Sequence, residues 1–444
     1  MALLTKEETR TLMQKVLNFS KADECEVNLN GTDRGNIRYA RNSVSTSGRV
    51  SQSTLAVASA YGKKLGVATI NEFDDASLEK VVRRAEELAK LAPENPEYVP
   101  FLGPQKFNEP VTFVPATGDI TARLRSDAVA QSLQVAKDNK VVAAGFLEDS
   151  ARYAAMMNSK GLFAYNTSTQ VDFSITVRTE DGKGSGYATR GYNDITKLDT
   201  KAVTQIATDK AILSATARAI EPGKYTVILE PTAAAVLIER ILFGLDARQA
   251  DEGRSFLSLP GGKTRLGEKL VDERVNIYSD PLNPELPTST WNGDGRPQEK
   301  ISWIEKGVVK NFTYSRYWAE KKGVKAIPGP DAAIMEGGTK SLEELIAGTK
   351  KGILVTRLYY IRDVDPQSLL LTGLTRDGTF YIENGKIQYP VKNFRFNESP
   401  VIMLNNLEEL GKSVRTVSDE SNANYLLPPM KIRDFTFTSL SDAV

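Results

Sequence analysis

The side chains that could support catalysis in this chain are carboxylates, lysines, tyrosines and hydroxyls, because its 444 residues include no histidine and a single cysteine, Cys25. Imidazole is therefore absent as a partner for a serine or cysteine nucleophile, as a zinc ligand in an HExxH helix and as a ligand of a two-histidine iron site. Proton transfer near neutral pH would require Asp, Glu, Lys or Tyr side chains whose pKa values are shifted by burial or charged neighbours. The composition thus argues against most established kinds of catalytic site.

Carboxylates alone could still form a site, because paired acids hold Mg²⁺ or Mn²⁺ through oxygen ligands. Asp363 and Asp365, in the segment Arg-Asp-Val-Asp-Pro, are candidates, with Glu239 as a third acid. The competing interpretation is that Asp-x-Asp beside a proline forms a turn or a surface ion pair. An autonomous hydrolase that uses carboxylates or an oxygen-liganded metal is therefore one hypothesis for this chain.

A serine activated by lysine is a second arrangement that needs no histidine. Ser255 and Lys263 could form such a dyad, but both are common residue types in a loop and carry little weight. The segment between them, Ser-Leu-Pro-Gly-Gly-Lys-Thr, resembles a phosphate loop but has Leu257 where that loop needs glycine. Gly-Lys-Gly-Ser-Gly at 182–186 is better interpreted as a hairpin turn, so we expect no nucleotide cofactor.

The charge balance limits the partners of the chain. Lys and Arg number 57 against 56 Asp and Glu, and the net charge of +1 gives no field that would attract nucleic acid or an anionic membrane. No apolar run approaches the roughly 20 residues that span a bilayer. The lone cysteine and an N-terminus without a secretory pattern are typical of a reducing compartment. We therefore expect a cytoplasmic protein with no membrane partner and no direct nucleic-acid partner.

Two helices frame a β-rich stretch at the N-terminus. The first begins with the capping-box pair Thr5 and Glu8. Between the helices, residues 24–70 are rich in Val, Ser and Thr, and turn signals at Asn30-Gly31 and at 61–63 indicate a meander. The second helix carries one apolar stripe, formed by Leu78, Val81, Val82, Ala85, Leu88 and Ala89.

The same order of elements returns after a proline-rich connector at 93–116. Arg-Tyr-Ala at 38–40 recurs at 152–154, and Gly-Val-Ala-Thr at 66–69 returns as Gly-Tyr-Ala-Thr at 186–189, each time before a helical segment. The shared order favours an internal duplication over chance recurrence of short words. We therefore predict a first α/β repeat at 1–92, the connector at 93–116 and a second repeat, the central domain, at 117–221.

The remaining residues, 222–444, are predicted to form a β-rich C-terminal domain. A strand is followed by Pro231 in the first turn of a helix whose apolar positions continue to Leu245, with Gly253 as a plausible end. Strand and turn signals dominate the rest of the chain. The predicted fold class is α+β, with a duplicated N-terminal half of helices and β-meanders and a largely antiparallel C-terminal domain.

Several segments resemble, in their order along the chain, the TldD/PmbA family of metalloprotease components, also described as modulators of DNA gyrase. The segments are IRYARNSVST, YGKKLGVATINEFDD, GILVT, FYIENGKIQYPV and LLPPMKI. No single segment is diagnostic, but their order covers nearly the whole chain. In the catalytic members of the family, two histidines of an HExxxH helix and a distal cysteine bind a metal, and the glutamate acts as the base.

On this chain the two histidine positions of that motif fall on Ile238 and Phe243, and Glu239 is the relic of the glutamate. The late segment 410–430 contains no cysteine. Ile238 also belongs to the apolar stripe of its helix. The helical periodicity and the comparison with the family motif therefore both indicate a core residue at this position. The resemblance implies that these three residues are degenerate motif positions in the C-terminal domain, with no metal, no cofactor and no confident catalytic residue in this chain.

This departure is typical of the PmbA branch of the family, also called TldE, which lacks the metal motif. The resemblance then implies a non-catalytic subunit, a pseudoenzyme, that forms a heterodimer with a TldD-like metalloprotease subunit holding the metal. Such a subunit would help to enclose a chamber in which extended peptides are degraded or matured, since a β-rich wall binds extended backbone without selecting a sequence. A self-dimer is the alternative assembly where the partner is missing.

A third hypothesis is a non-enzymatic interaction protein that acts on DNA gyrase. It would need exposed aromatic side chains as binding hot spots. Candidates are Trp303, Tyr314, Tyr317 and Trp318, although ordinary packing in β structure is the simpler explanation for them.

Overall fold

One antiparallel sheet of six long strands organises the N-terminal half of the chain. The computed structural model describes residues 3–441. The elements up to residue 214, together with a 3₁₀ turn at Ile195–Lys197, are α1 (Lys6–Phe19), β1 (Glu24–Ala40), β2 (Ser43–Tyr61), β3 (Lys64–Ile70), α2 (Asp75–Leu91), α3 (Pro115–Gly118), α4 (Ala122–Asp138), β4 (Val141–Asn158), β5 (Phe163–Thr179), β6 (Ser185–Tyr192) and α5 (Thr200–Ser214). The strands are hydrogen-bonded in the order β3-β2-β1-β4-β5-β6.

The two halves of this sheet repeat one order of elements, a helix, a three-stranded meander and a helix. They meet in the middle, where β1 pairs with β4 in an antiparallel register from Glu26↔Asn158 to Tyr39↔Gly145. Helices α1 and α2 pack on the first meander, α4 and α5 pack on the second, and each side has its own buried apolar cluster. This order agrees with the signals from which we inferred a duplication. The domain boundaries themselves stay predictions.

The turn predicted at Asn30-Gly31 is wrong. Strand β1 runs without interruption from Glu24 to Ala40, and its register with β2 continues through Gly31↔Ser53. Packing requires the glycine, because a Cβ at Gly31 would lie 1.9 Å from the Cε1 atom of Tyr153. The turn at 61–63 is confirmed, since Gly62 adopts a φ of 56° between β2 and β3.

The proline-rich segment is an extended connector that ties the N-terminal half to the C-terminal domain. Residues 93–114 contain no helix or strand. Arg248 donates two hydrogen bonds of 2.9 Å to the carboxylate of Glu97, and the side-chain amide of Asn108 donates to the carbonyl of Gln298 at 3.2 Å. Fixed φ angles at the prolines favour this extended path.

The C-terminal domain combines two antiparallel-rich sheets with short helices. Its elements are β7 (Lys224–Leu229), α6 (Pro231–Phe243), α7 (Ala247–Asp251), β8 (Ser258–Leu259), β9 (Lys263–Thr264), β10 (Ile277–Ser279), β11 (Ile301–Glu305), β12 (Val308–Val309), α8 (Arg316–Lys322), β13 (Ile334–Met335), α9 (Leu342–Ala347), β14 (Lys351–Val355), β15 (Leu358–Asp365), β16 (Leu370–Thr375), β17 (Thr379–Glu383), β18 (Lys386–Pro390), β19 (Phe394–Glu398), α10 (Pro400–Asn405), β20 (Leu407–Leu410), β21 (Val414–Val417), β22 (Asn424–Leu427) and β23 (Met430–Leu440). Helices α8, α9 and α10 were not predicted, because six or seven residues are too few to show helical periodicity.

The nine-stranded sheet has the order β15-β16-β19-β23-β7-β14-β17-β18, with β20 beside β23, and the six-stranded sheet has the order β12-β11-β10-β13-β22-β21. Two pairs, β7 with β14 and β13 with β22, are parallel, and the other pairs of both sheets are antiparallel. Helix α6 contacts β7 and β15 of the larger sheet and β21 and β22 of the smaller one. The α+β fold class is confirmed. Among residues 3–441, no helix is both long and apolar enough to cross a membrane.

Candidate functional site

Helix α6 carries Ile238, Glu239 and Phe243, the positions to which the resemblance assigned the metal motif, and lies in the core of the C-terminal domain. Pro231 occupies its first turn, where a missing N–H costs nothing, and Gly244 follows its last residue. The helix is shorter than the apolar pattern predicted, since Leu245 lies beyond its end. Ile238 is fully buried, whereas the side chain of Phe243 is 62% exposed. The two positions therefore face different surroundings, the protein core and the solvent.

Glu239 is a buried carboxylate whose oxygens are occupied by hydroxyl groups. The hydroxyl of Ser418 donates to its Oε2 atom at 2.7 Å, and the hydroxyl of Tyr425 donates to its Oε1 atom at 3.2 Å. Burial, reinforced by the negative charge of Glu239, raises the pKa of the Tyr425 hydroxyl, which keeps it protonated as a donor. These bonds join α6 to the segment that carries β21 and β22.

The residues at the motif do not fit a metal ion. Aliphatic and phenyl side chains at Ile238 and Phe243 have no lone pair to donate, and both oxygens of Glu239 already accept hydrogen bonds. Within residues 3–441, no group of three or more Cys, Asp and Glu side chains is arranged to hold a metal. We therefore derive no chemical step through a metal in this chain.

The acids of the carboxylate-hydrolase hypothesis are not gathered into one site. Asp363 is exposed, and its Oδ2 atom lies 3.9 Å from the guanidinium of Arg240. Asp365 accepts hydrogen bonds from the hydroxyl of Ser368 and from the backbone N–H groups of Gln367 and Ser368, which is turn chemistry. The hydroxyl of Ser368, followed by the backbone groups, lowers the pKa of the Asp365 carboxyl. Arg240, the neighbour of Glu239, places its Nη2 atom 3.6 Å from Glu420.

The proposed serine–lysine pair is not a dyad. Ser255 is buried, and its hydroxyl accepts a hydrogen bond from the backbone N–H of Leu257 at 3.0 Å. Lys263 lies in β9, which pairs with β8 in a short hairpin. The described residues contain no hydrogen bond between Ser255 and Lys263. The glycines of this hairpin, at 261 and 262, have φ angles of 75° and 71°, as a tight turn requires.

The four aromatic candidates for a docking surface belong to the core. Trp303 is fully buried and Trp318 is 5% exposed. Tyr314 and Tyr317 are partly buried and pack against the same apolar cluster. Ordinary packing in β structure therefore explains this group.

A polar cleft of about 1000 Å³ separates the N-terminal sheet from the C-terminal domain. One wall is formed by β1, β4, β5 and β6, and the other by loops around residues 286–289, 331–332 and 415–424. Amide and hydroxyl side chains dominate its lining, for example Asn30, Asn166, Gln170, Thr189, Asn193 and Asn424. Such a lining offers hydrogen-bond donors and acceptors along its length.

An ionic network joins the two walls of the cleft. The guanidinium of Arg357 lies 2.5 Å from Asp377 and 2.5 Å from Asp419, and it stacks 3.8 Å from the ring centre of Tyr187 in β6. Tyr187 donates its hydroxyl to Asp419 at 2.8 Å, and Ser185 donates to Asp377. Burial raises the pKa of the Asp419 carboxyl, although the charge of Arg357 opposes that shift. Tyr187 and Asp419 line the cleft, so two members of the network belong to its walls.

Arg415 in β21 is the most enclosed cation of the cleft. Its Nη1 atom donates to the side-chain oxygen of Asn193 and to the carbonyl of Glu285, both at 2.8 Å, and its Nε atom lies 3.3 Å from the side-chain oxygen of Asn424. Burial lowers the pKa of Arg415 to about 10, although the negative charge of Asp172 opposes the shift. The side chain remains a cation at neutral pH.

Asp331 adds a carboxylate to the same wall of the cleft as Arg415. Its side chain is open to the water of the cleft but surrounded by the cleft walls, and this burial raises its pKa to about 6. The described residues include no salt bridge to it.

The cleft residues were missed in the sequence because they come from strands and loops far apart along the chain. Some of them fall in segments that were singled out for other reasons, namely the predicted turn at Asn30-Gly31 and the repeated words at 152–154 and 186–189. The late segment 410–430, noted for its lack of cysteine, supplies Arg415 and Asp419 to the cleft and the partners Ser418 and Tyr425 to Glu239. No local pattern marks the others, since polar residues that alternate along a strand are also typical of a solvated sheet face.

Comparison with known proteins gives matches along most of the chain. Sequence models of the PmbA/TldA metallopeptidase family match as domain 1 over residues 25–89, as the central domain over 120–215 and as the C-terminal domain over 222–439. These three matches together cover well over half of the sequence.

Individual relatives are distant. An uncharacterized protein of Methanocaldococcus jannaschii is 26% identical over 368 residues, 79% of this chain and 84% of that protein. Metalloprotease PmbA of Escherichia coli O157:H7 is 27% identical over 174 residues, 38% of this chain and 37% of that protein. The crystal structure of TldE from Thermococcus kodakarensis has a TM-score of 0.87 at 20% identity, covering 97% of this chain and 99% of that chain, which shows a shared fold. The family matches and the fold agree, and the chain belongs to the PmbA/TldD metallopeptidase-related family.

Proposed function

We propose that this chain is the metal-deficient subunit of a TldD-type metalloprotease and that it helps to enclose a peptide-binding chamber. The observation that carries the proposal is the motif helix. Ile238 and Phe243 supply no metal ligand, and Glu239 is held by two hydroxyl groups in a buried position. A carboxylate without a metal-bound water has no nucleophile to deprotonate.

The metal would then come from a TldD-like partner with an intact HExxxH helix and distal cysteine. A heterodimer with that chain is the proposed assembly, and a self-dimer is the form expected where the partner is absent. Because this chain lacks the metal ligands, catalysis would depend on the partner. Because it keeps the fold of the family, this chain would still bind peptide.

The polar cleft is the proposed peptide-binding surface of this subunit. Its amide and hydroxyl groups can pair with the N–H and C=O groups of an extended peptide, which gives affinity without selecting a sequence. The ionic network around Arg357 holds the two walls at a fixed separation. This chain would therefore orient peptide, and the partner would cut it.

Metal content and peptidase activity of the separate and combined chains test this proposal. The purified chain alone, a TldD-like chain alone and their complex would be assayed for bound metal by mass spectrometry and for hydrolysis of an unfolded peptide. We expect metal in the TldD-like chain and the complex, and full activity only in the complex. Metal-dependent peptidase activity of this chain alone would overturn the proposal.

The variant Glu239→Gln separates a structural glutamate from a catalytic one. Glutamine has nearly the same shape and still accepts a hydrogen bond, but it cannot act as a base. We expect the complex containing E239Q to keep its activity. The matched control is Glu→Gln at the motif of the partner, which should abolish hydrolysis. Equal losses from both variants would show that this chain also carries chemistry.

A further inference from the structure

The guanidinium of Arg415 has a donor that the protein leaves unused. Its Nε and Nη1 atoms donate to Asn193, Asn424 and the carbonyl of Glu285, all of which are neutral acceptors. Within residues 3–441, its Nη2 atom donates no hydrogen bond, and no carboxylate forms an ion pair with Arg415. The nearest acidic influence, Asp172, acts from beyond ion-pair distance.

An arginine that lies in a cleft and is held only by neutral acceptors is a cation without a neutralising anion. Withdrawing a charge from water is unfavourable unless a partner neutralises it, and most enclosed arginines of this chain have such a partner. Arg125, for example, lies 2.7 Å from Asp149, and Arg357 lies between two carboxylates. Arg415 is therefore positioned for an anionic group from outside the chain.

The side chain of Arg415 also separates the cleft from a smaller pocket of about 350 Å³. The connector and a nearby loop supply its apolar lining, namely Pro110, Val111, Val114, Leu282, Pro284 and Pro287. Glu109, Asp194 and Lys197 add charged groups to the same pocket. Val111 is 78% exposed and Leu282 is 53% exposed, so apolar surface there is left open to a ligand. A ligand at this place can thus meet a cation and an apolar surface together.

We propose that Arg415 binds the α-carboxylate of a peptide whose C-terminal residue places an apolar side chain in the smaller pocket. The backbone of the preceding residues lies along the polar cleft. Arginine suits this role because its planar fork matches a carboxylate and remains charged. The inference rests on the proposed function, since it assigns a C-terminal subsite to the same peptide-binding surface.

Three peptides of one sequence test the subsite without any change to the protein. Each would be an N-acetylated peptide built on the same sequence of Ala, Ser and Thr with leucine as its last residue, so that any charge it carries is the carboxylate under test. One ends in a free carboxylate, one in an amide, and one in an amide with a single internal aspartate. Binding to the full chain and to its complex with a TldD-like partner, inactivated at its motif glutamate, would be measured by calorimetry. We expect the free carboxylate to bind roughly ten- to a hundredfold more tightly than either amide.

Variants identify the side chain responsible for this preference. Arg415→Gln should remove the difference between the free acid and the amide, and Arg415→Lys should retain part of it. The matched control is Arg123→Gln, an exposed arginine of α4 outside the cleft, which should leave the ratio between the two peptides unchanged. A thermal unfolding curve for each variant shows that it is folded.

Each remaining outcome counts against a particular claim. If all three peptides bind equally, the carboxylate subsite is wrong while the peptide-binding function stands. If the aspartate-containing amide binds as tightly as the free acid, Arg415 reads a side-chain carboxylate and the C-terminal assignment is wrong. If no peptide binds to the chain or to the complex, the proposed function itself is wrong.

Discussion

At the scale of single residues, the buried carboxylate of Glu239 is a structural acceptor. It takes hydrogen bonds from Ser418 and Tyr425, which come from a segment distant in sequence. These hydrogen bonds link helix α6 to the neighbouring sheet.

Glu239→Ala should destabilise the protein, because it leaves two buried hydroxyl groups without their acceptor. The expected loss is about 1 to 3 kcal/mol in the free energy of unfolding. Glu239→Gln keeps an acceptor and should lose less. Urea unfolding of both variants checks the order, and equal losses would show that the hydrogen bonds contribute little.

The raised pKa of Asp331 predicts a pH dependence of stability. Its folded-state pKa of about 6 lies above the usual 3.8, so the folded state binds the proton more tightly than the unfolded state does. The charged carboxylate therefore opposes folding increasingly as pH rises from 3.8 through about 6. Below that window both states are protonated and the effect is absent.

Asp331→Asn should accordingly stabilise the protein near neutral pH and have little effect near pH 4. Because the side chain is open to solvent, screening keeps the gain small, about 0.5 kcal/mol. Thermal unfolding of both proteins at the two pH values measures the difference. A gain that is as large at low pH would point to a cause other than the proton.

At the scale of elements, the long strand β1 depends on a glycine for close packing. The ring of Tyr153 in β4 occupies the space where a side chain at Gly31 would lie. Glycine in a strand interior often marks such an approach, whereas Asn-Gly in a sequence is typical of a turn. The Asn-Gly pair predicted a turn incorrectly, because this glycine is needed for the close packing of β1 against Tyr153.

Gly31→Ala should destabilise the N-terminal sheet, since its methyl group would overlap the ring of Tyr153. We expect a loss of about 1 to 3 kcal/mol in the free energy of unfolding. Gly48→Ala in β2 is the matched control, because a Cβ there meets no atom within 4 Å. Its stability should be unchanged or slightly higher. Similar losses in both variants would contradict the packing explanation.

At the scale of the whole molecule, the Arg357 network couples the N-terminal sheet to the C-terminal domain. Asp377 has a side chain that is 1% exposed, and that of Asp419 is 7% exposed, and Arg357 lies 2.5 Å from each of them. Asp377 has a second, more distant cation in Arg376, at 3.9 Å. Tyr187 and Ser185 bring β6 into the same network through their hydroxyl groups. The contact between the two halves therefore consists of hydroxyl groups of the N-terminal sheet bound to carboxylates of the C-terminal domain.

Arg357→Gln should weaken this coupling, because it removes the cation that lies nearest to two enclosed carboxylates and leaves Asp377 with only the more distant Arg376. The expected loss is about 3 to 5 kcal/mol in the free energy of unfolding. Arg433→Gln is the control, since Arg433 forms only an exposed pair with Asp434 and should cost less than about 1 kcal/mol. Hydrogen exchange should show faster exchange in β6 for R357Q alone. Unchanged exchange in β6 would mean that other contacts hold the walls.

The sequence by itself determined the fold class and the starts of two helices, whereas it misplaced a turn inside β1 and the end of α6. Hydrophobic periodicity and turn residues act locally, so the capping box at Thr5 and Glu8 and the start of α6 at Pro231 were correctly predicted. The absence of histidine was equally decisive, since it removes imidazole chemistry whatever the fold.

Only the tertiary structure decided which polar residues meet. Glu239 accepts a hydrogen bond from Ser418, and Arg357 forms ion pairs with Asp377 and Asp419. Arg415 donates from Nη1 but not from Nη2. No spacing of residues in the sequence predicted these contacts. Hydrogen bonds and ion pairs are effective only over a few ångströms, and the strands that bring these groups together are paired across the fold rather than along the chain. The residue types thus determined that imidazole chemistry is absent, and the packing of the N-terminal sheet against the C-terminal domain determined where the polar cleft lies.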